Sequence, residues 1–118
     1  MKKMILLCMV LISMAQAKEI RMYSVTIEVK ATKNSGVPWD FAGGAPDLSL
    51  YVNGVSFNDK NCKNKYRCTI NFLSTSRYSW FFEVIDKDLY VNDLVTKGRC
   101  SLNTQCNLGN ATLLIRDD

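Results

Sequence analysis

The sequence predicts an all-β fold, an antiparallel two-sheet β-sandwich of about eight strands, and three observations carry that prediction. Several short segments alternate apolar and polar residues with period two, as half-buried strands do. Clusters of Gly, Pro, Asn and Asp separate them. No segment shows a helical period, and there is no internal repeat, low-complexity tract or linker.

In chain order, Val25, Ile27, Val29 and Ala31 form one face of the first strand, with Thr26, Glu28, Lys30 and Thr32 on the other. Leu48, Leu50 and Val52 line a second strand. It runs into Asn53-Gly54, the two-residue signal for a tight hairpin, and Val55-Ser56-Phe57 returns from that turn. Cys68, Ile70 and Phe72 mark a further strand. The heaviest runs from Ser79 to Ile85, with Trp80, Phe82 and Val84 on one face and Phe81 and Ile85 flanking Glu83 on the other. Ala111, Leu113 and Ile115 make the last.

The N-terminus reads as a cleaved signal peptide, residues 1–17. Lys2 and Lys3 form a basic start, Met4 to Met14 an apolar run, and Ala15-Gln16-Ala17 the small residues that precede a cleavage site. That run is too short to span a bilayer as a helix. Cys8 lacks the small residues expected before a lipid-attachment cysteine. The expectation is an exported protein, secreted or periplasmic, whose residues 18–118 form one domain. A domain of this size buries a modest core, so covalent or metal supports are in keeping with it.

Four of the five cysteines lie in the mature part: Cys62, Cys68, Cys100 and Cys106. An even count in an exported chain reads as two disulfides. Three pairings are open; the one expected, Cys62–Cys68 with Cys100–Cys106, closes two short loops. A four-cysteine zinc site is the weaker reading, since such sites use tighter spacing. Asn110-Ala111-Thr112 is a glycosylation sequon, relevant only where the host glycosylates exported proteins.

Composition excludes several functions. Removing Lys2 and Lys3 from 15 basic residues leaves 13 against 11 acidic ones, too even a balance for nucleic-acid binding. There is no histidine, so the commonest general base and the Ser-His and Cys-His nucleophilic pairs are missing. Gly43-Gly44 opens no helix and is no phosphate loop. No enzyme activity and no small-molecule substrate are expected; a hydrolase using paired carboxylates is the minor alternative.

The acidic residues are grouped. Asp40 and Asp47 bracket one loop, and Asp86, Asp88 and Asp93 lie in a second segment that follows the heavy strand. Calcium takes six to eight oxygen ligands at roughly 2.3–2.6 Å, commonly from carboxylates and carbonyls. Five aspartates on neighbouring loops suit it, whereas without a cation they would repel. The plain alternative is that aspartate is common in turns, where it caps backbone groups.

The run Trp39-Asp40, Gly43-Gly44, Pro46-Asp47, Leu50-Tyr51-Val52 resembles the first calcium loop and following strand of C2 domains, calcium-dependent lipid-binding sandwiches. Val84-Ile85-Asp86-Lys87-Asp88, followed by Asn92-Asp93, resembles their third loop. The resemblance covers about Ser24 to Ile115. It implies calcium ligation by Asp40, Asp47, Asp86, Asp88 and Asp93, with the carbonyls of Phe41 and Lys87 as additions. The third loop is one residue shorter than in many members. Ser74-Thr75-Ser76-Arg77-Tyr78 stands where an Asn-Pro-x-Trp-Asn-Glu-like stretch is usual, and the disulfides and export signal differ from cytosolic members.

The resemblance also implies membrane contact at the loop tips, through Phe41, Leu89, Tyr90 and Val91. Lys60, Lys63, Lys65 and Arg67 form a basic stretch suited to acidic headgroups or to guarding a strand edge. The expected function is an exported Ca2+-binding module that docks on anionic lipid membranes. The alternative is a calcium-stiffened extracellular domain, adhesin- or inhibitor-like, with an unknown protein partner.

Overall fold

The computed structural model describes residues 19–33, 36, 44–87 and 92–117. These form the predicted sandwich, with eight strands: β1 (Arg21–Val29), β2 (Leu48–Val52), β3 (Val55–Phe57), β4 (Arg67–Ser74), β5 (Ser79–Asp86), β6 (Asp93–Ser101), β7 (Gln105–Asn107) and β8 (Ala111–Asp117). A single 3-10 turn, Lys60–Cys62, is the one helical element among the described residues. One sheet has the order β4-β1-β8-β7 and the other β3-β2-β5-β6. Every pairing between strands is antiparallel.

Alternation decides which side chains meet between the sheets. Val25, Ile27 and Val29 of β1, Leu48, Leu50 and Val52 of β2, and Trp80, Phe82 and Val84 of β5 are all buried. Ala31 lies past the end of β1 and is exposed, so the strand begins earlier than its apolar pattern and includes the buried Tyr23. Asn53 and Gly54 take φ of 48° and 84°. Positive φ at both central residues is what the tight hairpin linking β2 to β3 requires.

Strand β6 has no clean alternation, and a bulge explains why. Val84 pairs with Thr96 and Ile85 with Leu94, leaving Val95 as an extra residue. A bulge of this kind breaks the period, and Val95 and Thr96 are both buried. The segment after β6 then covers its open edge. Leu108 lies over Gly98, where an added Cβ would come within 2.6 Å of its Cδ2. Thr96 Oγ1 donates to the Leu108 carbonyl, and Asn110 Nδ2 donates to the Val95 carbonyl at 3.0 Å. That nitrogen is the one a glycan would use, so the folded sequon commits its acceptor atom to the edge. Asn110→Ala should cost about 1–3 kcal/mol in urea unfolding, because it strands a carbonyl that water reaches poorly. A loss under a few tenths would show that the edge does not depend on this bond.

The disulfides are Cys62–Cys68 and Cys100–Cys106, with Cα separations of 5.4 and 5.7 Å. The first ties the 3-10 turn to β4 and the second ties β6 to the segment of β7. Each therefore closes a side of the sandwich where the chain crosses from one sheet to the other. Two such bonds suit an oxidising, extracellular-type environment. No helix among the described residues is long and apolar enough to cross a membrane.

Candidate functional site

Strand direction brings the starts of β2, β4 and β6 and the ends of β1 and β5 to one rim. Asp47 immediately precedes β2, Asp86 closes β5 and Asp93 opens β6. Asp86 Oδ1 accepts the Asp47 N–H at 2.9 Å, and the Asp47 carbonyl accepts the Lys87 N–H at 2.8 Å. Asp86 faces Asp93 in the β5–β6 register. Aspartates from both sequence clusters thus stand side by side, with Asp86 buried.

The remaining candidates of the acidic set, Asp40 and Asp88, lie outside the described residues, as do the tip residues Phe41, Leu89, Tyr90 and Val91. Among the described residues no group of three or more His, Cys, Asp or Glu side chains is arranged to hold a metal ion. Asp47, Asp86 and Asp93 are hard oxygen donors of the kind calcium takes. A carboxylate has about four acceptor positions, so accepting one N–H is compatible with ligating a cation as well. By donor type they suit calcium, but among the described residues they assemble no ligand set on their own.

Two residues of the rim were not visible as site residues in the sequence. Asn64 donates its N–H to Asp47 Oδ1 at 2.7 Å, and its own Oδ1 accepts the Ala45 N–H at 3.0 Å. Its φ of 54° is positive, a conformation asparagine tolerates better than most residues; that preference is the only sequence signal it offered. Lys33 reaches across from the segment after β1, with Nζ 2.8 Å from Asp93 Oδ2.

Asn64 also settles where the basic stretch lies. Lys65 N–H donates to the Pro46 carbonyl at 3.0 Å, so three hydrogen bonds hold residues 64–65 against residues 45–47. Lys60, Lys63, Lys65 and Arg67 are all exposed. The basic stretch is bonded to the acidic rim instead of forming a separate patch elsewhere on the sandwich. Acidic and basic side chains thereby lie close together at one end of the molecule. No protein-family model matches the chain, and no curated protein matches it.

Proposed function

We propose that the chain is an exported, C2-like calcium-binding module that docks on anionic phospholipid membranes through its calcium-loaded rim. The observation that carries this reading is the meeting of Asp47, Asp86 and Asp93 at one rim, with the basic stretch bonded beside them. Like charges opposite one another across strands repel, and a divalent cation relieves that repulsion. Calcium held there would leave coordination positions for headgroup oxygens. Exposed lysines at its border would add about 1 kcal/mol each near an anionic surface. The roles of Asp40, Asp88 and the apolar tips rest on the sequence alone.

Calcium should raise the melting temperature, since an ion that binds only the folded chain stabilises it by about 2.7 kcal/mol at a hundredfold excess over Kd. Magnesium should do far less, because it demands a tighter octahedral site. Asp47→Asn with Asp86→Asn should abolish the calcium effect and retain the fold, because a carboxamide Oδ1 still accepts the N–H groups of Asn64 and Asp47. The loaded protein should co-sediment with anionic vesicles and be released by chelator, and Phe41→Ala with Tyr90→Ala should weaken sedimentation but not the thermal shift. A melting curve unmoved by millimolar calcium would return these aspartates to turn capping.

The second reading, a protein-interaction domain in which calcium only stiffens loops, draws on the other end of the sandwich. There Ile20, Val55 and Leu73 are 65, 57 and 52 % exposed and line a cavity of about 310 Å³. Clustered apolar exposure marks interaction surfaces. A chain that binds calcium yet ignores every vesicle composition would favour it.

A further inference from the structure

Four strands stand at the margins of the two sheets, β4 and β7 in one, β3 and β6 in the other. An open edge invites pairing with another chain, and proteins blunt it by shortness, charge, bulges or cover. β3 and β7 have three residues each. β6 carries a bulge, and residues 108–110 lie bonded over it. β4 lacks these devices over most of its length: it has eight residues, no proline, an unbroken register with β1 and one charge, Arg67, at its start.

The register also gives the direction of its free groups. Val29 N–H donates to the Tyr66 carbonyl at 2.7 Å, and in an antiparallel ladder such hydrogen-bonded pairs alternate. Cys68, Ile70 and Phe72 therefore turn their backbone groups toward β1, while Arg67, Thr69, Asn71 and Leu73 turn theirs outward. Among the described residues no backbone group meets them on that side. The 3-10 turn is tied to β4 through the inward-facing Cys68 and adds no backbone bond to the edge. The edge is polarised as well. At its start Lys63, Lys65 and Arg67 are exposed and, among the described residues, form no ion pair. At its end the half-exposed Leu73 lines a cavity with Ile20, Val52 and Val55.

We propose that the β4 edge takes up an extended segment of a partner protein, antiparallel to β4, apolar toward its N-terminal end and acidic at its C-terminal end. The proposal stands apart from the calcium reading and rests on the second reading, whose apolar surface it extends to a partner of stated chemistry. Main-chain hydrogen bonds to Thr69, Asn71 and Leu73 supply the attachment, and side chains supply the selectivity. The antiparallel direction sets the segment's C-terminal end beside Arg67, Lys65 and Lys63, whose charge acidic side chains complement. Its N-terminal end then lies over the cavity. A second copy of this chain answers the edge less well. With the free residues fully overlapped, Arg67 of each β4 would face Leu73 of the other, leaving both basic starts without acidic partners.

The test adds two synthetic peptides to the full chain in chelator and follows amide NMR. Each alternates leucine or valine with threonine; one ends in glutamates at its C-terminus, the other in lysines. The glutamate peptide should shift the amides of Arg67, Thr69, Asn71 and Leu73 and slow their hydrogen exchange. It should bind about tenfold more tightly than the lysine peptide, a preference that high salt removes. Asn71→Pro should keep the fold, because the ring replaces an N–H that points outward from an edge strand, and should bind about tenfold more weakly. Should that variant fail to fold, the peptide decides: N-methylation of one alternate set of its amides must abolish binding, and of the other set must spare it. Equal binding of both peptides, binding that survives either methylation, or silence from both would overturn the proposal. Shifts confined to Ile20 and Val55 would overturn the edge and leave the apolar surface of the second reading standing. Self-association through β4, seen by sedimentation, would give the edge to a second copy and overturn the proposal too.

Discussion

Trp80→Ala should destabilise the protein by about 3–5 kcal/mol, the cost of deleting a large aromatic from a packed core. Trp80 is fully buried near the start of β5. Its ring lies 4.8 Å from Tyr23, 5.3 Å from Phe72 and 6.3 Å from Phe82, measured between centroids. These four rings come from β1, β4 and β5, so they join one sheet to the other. Removing the indole would leave a void that the neighbouring rigid rings fill poorly. A polar contribution can be separated from the packing one. Trp80 Nε1 donates to Ser74 Oγ at 2.9 Å, and the same hydroxyl oxygen accepts the Ser76 N–H at 3.1 Å. Ser74→Ala should cost only about 1–2 kcal/mol through the unpaired indole N–H. Urea unfolding followed by circular dichroism measures both; a Trp80→Ala loss below that of Ser74→Ala would mean that the ring does not bridge the sheets.

The strands that could be read from the sequence are those whose burial follows a strict period of two. β4 and β5 show it throughout and β2 in its apolar residues, although Ser49 between them is buried too, and Asn53-Gly54 announces its hairpin through chemistry that only that turn needs. β6 was hidden because a bulge is a long-range property: whether Val95 counts as an extra residue depends on its register with β5, not on its neighbours in sequence. β7 has three residues, too few to show a period, and it is held by pairing with β8 and by Cys106. Tyr23 went unread because its polar tip blurs the pattern at the start of β1.

The rim was legible to the same degree and for related reasons. Asp86 and Asp93 lie seven residues apart around a strand reversal, so local sequence already suggests that they face one another. The partners that bind the rim together come from far away. Asn64 is 17 residues from Asp47, and Lys33 is 60 from Asp93. Which of several lysines meets a carboxylate is decided by where two sheets end, and no local pattern encodes that. The basic stretch shows the same limit. Its charge could be seen in the sequence, but its attachment to residues 45–47 could not.

Reduction of both disulfides should remove most of the stability. Each bond closes a loop with a sequence separation of six, and constraining the unfolded chain over so short a loop is worth about 2–3 kcal/mol. Two such losses, about 5 kcal/mol, match the whole net stability of many domains. The two bonds are not equivalent, because Cys62 is fully buried within the core whereas Cys106 is only partly so. Cys62→Ala with Cys68→Ala should therefore cost more than Cys100→Ala with Cys106→Ala, the excess arising from the void left in the core where the Cys62 sulfur had packed. Thermal melting with and without a phosphine reductant, alongside the two double variants, measures each contribution. A reduced chain that melts within a few degrees of the oxidised one would show that the sandwich stands on packing alone, and would detach its fold from any need for an oxidising compartment.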